Sequence, residues 1–113
     1  MAKKKAVWLS YDFGLKGDYT GLYTWLDEHN AIECGHGIAF LHWETKDAAH
    51  LTDEIENNLK ESVKLSKSDR IYVIWKEPTK GKIKGNFING ARRQSPWVGY
   101  SNTNKIVQND SGE

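Results

Sequence analysis

Asp12 stands at the end of a short apolar run, residues 6–11, directly before a loop that contains two glycines. A carboxylate at the junction of a strand and a loop is a common position for catalysis or metal binding, because the strand fixes its backbone while its side chain reaches solvent. Asp12 is therefore a candidate catalytic residue and a candidate ligand for Mg²⁺. The alternative is that Asp12 caps the turn through its own backbone.

A second set of candidate residues is cationic and lies in the C-terminal third. Residues 76–93 carry six lysines and arginines against one acid, whereas residues 27–56 carry eight acids against one lysine. Lysine and arginine neutralise phosphates, and tryptophan stacks on bases. The candidate nucleic-acid-binding residues are Lys80, Lys82, Lys84, Arg92, Arg93 and Trp97. These residues can also be explained without a ligand. The lysines would then lie on a solvated edge strand and prevent it from pairing with another chain, and Trp97 would anchor a C-terminal arm on the sheet.

The composition narrows the class of protein. A chain of 113 residues fits one domain with one core, and five tryptophans supply large apolar side chains. The single cysteine, Cys34, excludes an internal disulfide, so we expect a reducing, cytoplasmic location. No run is long and apolar enough to cross a bilayer, so a membrane is not an expected partner. The sequence has no phosphate-binding glycine loop, nucleophile elbow or pair of catalytic acids.

The elements that position these residues follow from hydrophobic periodicity. Strands are predicted near residues 6–12, 31–35, 37–43 and 70–76, with an optional fifth, edge strand at 82–88. Helices are predicted near 18–30 and 47–64. This order predicts an α+β fold, a ferredoxin-like βαββαβ sandwich whose four-stranded antiparallel sheet carries both helices on one face. Residues 1–100 form the single predicted domain, and 101–113 form a disordered tail.

The predicted strands are apolar on both faces, although two helices can cover only one. In the first strand Val7 and Leu9 alternate with Trp8, and in the third Ile38 and Phe40 alternate with Leu41 and Trp43. We expect residues 86–100 or a second copy of the chain to cover the second face. A homodimer with Trp8 and Trp43, or their neighbours, under the second layer is the resulting prediction.

Short motifs in the first strand, the first helix and the third strand resemble a known group. Ser10-Tyr11-Asp12 closes the first strand, Leu22-Tyr23 and Trp25-Leu26 follow, and Gly37-Ile38-Ala39-Phe40 opens the later strand. Over residues 6–76 this resembles the small ferredoxin-like ribonucleases, namely the CRISPR-associated spacer-acquisition nuclease family and the VapD-like endoribonuclease toxins. In that group the first strand ends in Tyr-Asp, and the aspartate is the proposed metal-binding and catalytic residue at a homodimer interface. The resemblance implies that role for Asp12.

Three functions stay open at this point. The first is a homodimeric interaction module that uses the exposed sheet face or a strand edge. The second is a metal-dependent endoribonuclease or nucleic-acid-binding protein, in which two copies of Asp12 hold Mg²⁺ and the basic C-terminal segment holds RNA or DNA. The third is a small-ligand binder with a pocket between sheet and C-terminal arm. Whether the chain is an enzyme is left open, and Mg²⁺ is the one cofactor that these readings invoke.

Overall fold

The computed structural model of the protein describes residues 3–101 and shows an α+β fold. Its elements are β1 (Lys3–Asp12), α1 (Tyr19–Glu28), β2 (Ile32–Glu33), β3 (Ile38–Thr45), a 3₁₀ turn (Ala48–His50), α2 (Leu51–Ser62), β4 (Arg70–Lys76) and β5 (Ile83–Asn89). No helix in this part of the chain is long and apolar enough to cross a membrane. All but the first residue of the predicted tail, 101–113, lies outside the described residues.

The five strands form one antiparallel sheet in the order β2-β3-β1-β4-β5. With a helix after β1 and another after β3, this arrangement is compatible with the predicted ferredoxin-like fold. The predicted count of four strands was too small, because β5 pairs with β4 from Ile71 to Lys76. The backbone N–H of Glu77 donates to the carbonyl of Lys82 (2.7 Å) and closes the turn between them. The optional fifth strand is therefore a real edge strand.

The core lies between one face of the sheet and the two helices. Along β1, Val7 and Leu9 are fully buried, whereas Trp8 between them is 40% exposed. This alternation follows from the period of two in a strand. The helices and the sheet contribute to a single buried cluster, whose larger members are Leu9, Leu22, Trp25, Leu41, Leu51, Ile55, Leu59, Ile71 and Val73. Both helices therefore cover the same sheet face.

Trp43 lies on the helix side of the sheet, so the prediction that it lies beneath a second layer is wrong. The register of β3 pairs Leu41 with Val7, which turns every odd position of β3 toward the helices. Trp43 stacks on Trp25 with the ring centroids 6.2 Å apart, and its Nε1–H donates to Glu54 (3.0 Å). Its partners are thus both helices rather than a second copy of the chain.

Asp18 begins α1, as its position before the helical repeat predicts. Its carboxylate accepts from the backbone N–H of Gly21 and from that of Lys64, each at 2.9 Å. The hydrogen bond from Lys64, followed by the one from Gly21, lowers the pKa of Asp18 below its ordinary value. One side chain therefore caps α1 and holds the segment that follows α2.

Asp69 is almost completely buried and joins two loops. Its Oδ1 accepts from the backbone N–H of Gly14 (3.1 Å), and its Oδ2 accepts from the N–H and the hydroxyl of Ser66 (2.9 and 3.1 Å). These bonds hold the loop after β1 against the turn before β4. The end of β1 and the start of β4 are thereby fixed side by side.

Candidate nucleic-acid interface

The sheet face opposite the helices, called the open face below, is left largely uncovered by the described part of the chain. Its apolar region consists of Ile32, Ile38, Phe40 and Trp8, and its cationic region consists of Arg70, Tyr72, Phe87 and Arg92. Ile32 is 60% exposed and Ile38 is 39% exposed. Residues 90–100 cover only its Tyr72 and Phe87 end, where Arg92 lies over the two rings, and nearly all of these residues are themselves exposed. Such a surface is typical of a binding site.

Asp12 and Arg70 form an ion pair at one end of the open face. They are opposite each other in the register of β1 and β4, and a guanidinium nitrogen of Arg70 donates to Oδ2 of Asp12 (2.7 Å). The Asp12 side chain keeps 56% of its surface exposed. The hydrogen bond of its carboxylate goes to this arginine rather than to its own turn. Asp12 is thus a solvent-facing acceptor held in place by a cation.

Asp12 does not belong to a larger group of metal-ligating side chains in the described part of the chain. Among residues 3–101, no three His, Cys, Asp or Glu side chains are grouped closely enough to hold a metal ion. Mg²⁺ binds through carboxylates and water, and a single carboxylate that already pairs with arginine is a poor ligand. The proposed metal role of Asp12 would need a second carboxylate from another molecule.

Arg92 lies over two aromatic rings in the cationic region. Its guanidinium carbon is 5.8 Å from the centroid of the Tyr72 ring and 5.6 Å from that of Phe87. The two rings meet edge to face with centroids 4.8 Å apart, because Tyr72 and Phe87 are partners in the pairing of β4 with β5. A guanidinium at this distance is attracted by the ring faces. The result is a planar cation supported from below by the sheet.

Gly85 makes room for this arrangement. It pairs with Ile74 and lies beside the Tyr72 ring, and a Cβ atom at position 85 would collide with the ring and hydroxyl of Tyr72. Only glycine lets the tyrosine lie across β5 at this point. The position of Tyr72, and hence of Arg92 above it, therefore depends on residue 85 being a glycine, which has no side chain.

Two clefts open beside Arg92. The first is about 420 Å³ and is lined by Ser10, Asp12, Ile38, Arg70, Tyr72, Ile74, Phe87 and Arg92. Its floor is at Ser10, whose small side chain lies between those of Ile38 and Tyr72 in the sheet register. The second, about 560 Å³, lies between the sheet and residues 92–97. A pocket at this place was expected for a small-ligand binder, the third of the three functions. Both volumes lie within the range of about 300–1,000 Å³ that is common for ligand sites.

The structure divides the predicted basic segment into two parts. Arg92 and Arg93 follow β5 and lie near Arg70, and Trp97 lines the second cleft with 70% of its surface exposed. The three candidate lysines, Lys80, Lys82 and Lys84, are exposed in or beside the turn at the opposite end of β5. At about 3.3 Å per residue, the seven-residue strand separates the two groups by about 20 Å.

Sequence reasoning missed three members of the cationic region, namely Arg70, Tyr72 and Phe87. Arg70 is 58 positions from Asp12, and only the pairing of β1 with β4 brings them together. The alternation of β4 could have indicated that Arg70 and Tyr72 share a face, but it could not say which face was open. Among the described residues, Nε of Arg70 is buried without a hydrogen-bond partner.

Comparisons of the chain with protein-family models, with curated protein sequences and with solved structures find no match.

Proposed function

We propose that the chain binds single-stranded nucleic acid through the cationic region of its open face. The observation that carries this proposal is the guanidinium of Arg92, which lies over the rings of Tyr72 and Phe87 beside a second arginine, Arg70. Bases of single strands stack on aromatic rings and on guanidinium planes, and arginine N–H groups bind the phosphates between them. A sheet face that combines both groups has the chemistry of a single-strand platform.

The sheet geometry supports a single strand over a duplex. The aromatic and cationic side chains lie on or beside a five-stranded sheet rather than on a projecting helix or ribbon that could enter a groove. Unpaired bases can splay onto such a surface, whereas the bases of a duplex are already stacked on one another. The exposed Trp97 beside the second cleft extends the stacking surface beyond the sheet.

Fluorescence anisotropy with labelled oligouridine and oligothymidine tests the proposal. We expect binding that weakens steeply from about 50 to about 200 mM salt, because each phosphate contact releases counterions. Arg92→Ala removes one contact and should lower the slope of log affinity against log salt by about 0.7.

Arg93→Ala is the matched control for this experiment. Arg93 is the neighbouring cation of equal charge, but its contact is a long hydrogen bond to the Ser68 carbonyl (3.4 Å) rather than a cation–π contact. We expect Arg93→Ala to weaken binding less than Arg92→Ala does. Equal effects would show that general charge, and not the stacked guanidinium, holds the strand. No binding of either oligonucleotide at about 50 mM salt would refute the proposed function.

A second candidate function is homodimerisation through the apolar region. The favouring observation is that aliphatic side chains are exposed there: Ile32 and Ile38 flank the Trp8–Phe40 pair, whose ring centroids are 5.0 Å apart. Isoleucine provides no ring on which a base can stack, and burial of such a patch favours association between proteins. In this reading the chain is a homodimeric interaction module.

Light scattering at micromolar concentration tests this second candidate. We expect a dimer for the wild-type chain and a monomer for Ile38→Glu, because a buried interface does not tolerate an unpaired carboxylate. Leu15→Glu is the control, since Leu15 is fully exposed in the loop after β1 and is not part of the apolar region. A wild-type monomer at every concentration would rule out the homodimer.

The remaining expectations are proposals of the same kind. The ferredoxin-like assignment is supported by the order β2-β3-β1-β4 with one helix after β1 and one after β3. A cytoplasmic location is supported by Cys34, which is a free thiol. A metal-dependent endoribonuclease, as in the group that the sequence resembles, is supported by Tyr11-Asp12 at the end of β1.

A further inference from the structure

We propose that the cleft at Asp12 selects guanine among the four bases, an inference that rests on the proposed binding of single-stranded nucleic acid. The cleft lies on the open face beside the guanidinium of Arg92, and Asp12 and Arg70 are among its lining residues. A base that stacks beside Arg92 can therefore present its edge to the Asp12 carboxylate. Nothing in the strand-binding proposal itself depends on which base occupies this cleft.

The carboxylate of Asp12 is an acceptor with spare capacity. An ionised carboxylate has about four acceptor positions, and the hydrogen bond to Asp12 in the described part of the chain uses one of them, on Oδ2. Arg70 holds the group in one orientation, so Arg70 is a positioning residue. The 56% exposure of the Asp12 side chain leaves the carboxylate open to a ligand.

Guanine is the base that matches such an acceptor pair. Its Watson–Crick edge offers two adjacent donors, N1–H and the N2 amino group, which can bind both oxygens of one carboxylate. Adenine and cytosine each offer one amino donor next to a ring nitrogen acceptor, and uracil offers one N–H between two carbonyls. In those three cases an acceptor of the base faces the carboxylate, which is unfavourable because neither group can donate.

The shape of the cleft agrees with a base. Ser10 forms a low floor between Ile38 and Tyr72, so a flat ring can enter between the two larger side chains. Arg92 and Phe87 continue the same wall, and the guanidinium of Arg70 offers further donors for the sugar or phosphate. The Asp12 carboxylate thus shares its cleft with two cations, Arg70 and Arg92, and their positive charge allows a polyanionic strand to approach it.

Short oligouridines with one central test base provide the experiment. We expect guanine at the centre to bind at least about tenfold more tightly than adenine, cytosine or uracil, since a good bidentate pair discriminates by about this factor or more. Inosine lacks the N2 amino group and should lose most of the preference. Xanthine has a carbonyl in place of that amino group and should bind as weakly as uracil.

Asp12→Asn exchanges one acceptor for a donor and should reverse the preference between guanine and xanthine. The asparagine oxygen accepts from N1–H while its amide donates to the 2-carbonyl of xanthine, so we expect this variant to prefer xanthine over guanine. Asp27→Asn, which changes an exposed carboxylate on α1, is the control and should keep the preference for guanine.

The outcomes separate the two proposals. If all central bases bind equally and the binding stays salt-dependent, the guanine inference is wrong and the strand-binding function stands. If no oligonucleotide binds, the strand-binding function fails and the inference fails with it. The inosine and xanthine probes act on the wild-type chain, so this test does not depend on whether Asp12→Asn folds.

Discussion

Replacing Asp69 by asparagine tests whether one buried carboxylate positions the end of β1 against the start of β4. The substitution keeps the shape of the side chain. If the amide oxygen takes the place of Oδ2, the two bonds from Ser66 remain, but the amide NH₂ then faces the N–H of Gly14, donor against donor. Loss of a hydrogen bond to a charged group costs about 1.5–3 kcal/mol, and an unpaired N–H adds about 1–3 kcal/mol. Because solvent can partly satisfy the half-buried Gly14, we expect a total loss of about 2–5 kcal/mol.

Urea unfolding followed by circular dichroism measures this change in the free energy of unfolding. We expect a lower midpoint with an unchanged slope, since the surface exposed on unfolding stays the same. Asp27→Asn is the control, because Asp27 is exposed and such substitutions change stability by about 0.5 kcal/mol or less. A loss below about 1 kcal/mol for Asp69→Asn would show that water replaces the carboxylate and that the two loops are held by other contacts.

Three further predictions concern the Asp18 cap of α1, the cationic region of the open face and the proposed Mg²⁺ role of Asp12. The lowered pKa of Asp18 means that its contribution to stability is complete above the ordinary value of 3.8 and is lost as the pH falls through the folded value. Wild type should therefore lose more stability than Asp18→Asn when unfolding is followed from neutral pH to about pH 3. Gly85→Ala should displace Tyr72 and weaken oligonucleotide binding several-fold, with a cooperative unfolding transition retained. If two copies of Asp12 hold Mg²⁺, labelled single-stranded RNA should be cleaved with Mg²⁺ but not with EDTA, and Asp12→Asn should abolish the cleavage; RNA that stays intact with Mg²⁺ would refute the endoribonuclease.

Local signals in the sequence were enough to predict the helices and most of the strands. Asp18 before an apolar repeat marks the start of α1, and the repeat that includes Leu51, Ile55 and Leu59 marks the buried side of α2. In each case the deciding residues are within a few positions of one another. Secondary structure of this kind depends on short-range contacts, which the sequence displays directly.

The members of the candidate site depend on contacts that the sequence does not display. Trp43 was assigned to the wrong face because its side is decided by the register of β3 with β1, and not by β3 alone. Asp69 is almost completely buried, and its Oδ1 accepts from the N–H of Gly14, 55 positions away, a contact that no local pattern indicates. Arg92 was predicted to bind nucleic acid. Its contact with the rings of Tyr72 and Phe87 could not be predicted, because it depends on the pairing of β4 with β5.

The two edges of the sheet restrict how copies of this chain can assemble. At one edge β2 pairs through only two residues, and at the other β5 carries Lys84 and follows Lys82. Short strands and lysines both discourage the addition of further strands from a neighbouring molecule. A homodimer of the proposed kind would instead use the open face, where a symmetric contact uses the same patch on both copies and is complete with two. If copies of the chain associate in this way, the sheet edges limit the assembly to a closed pair and do not extend it into an open-ended filament.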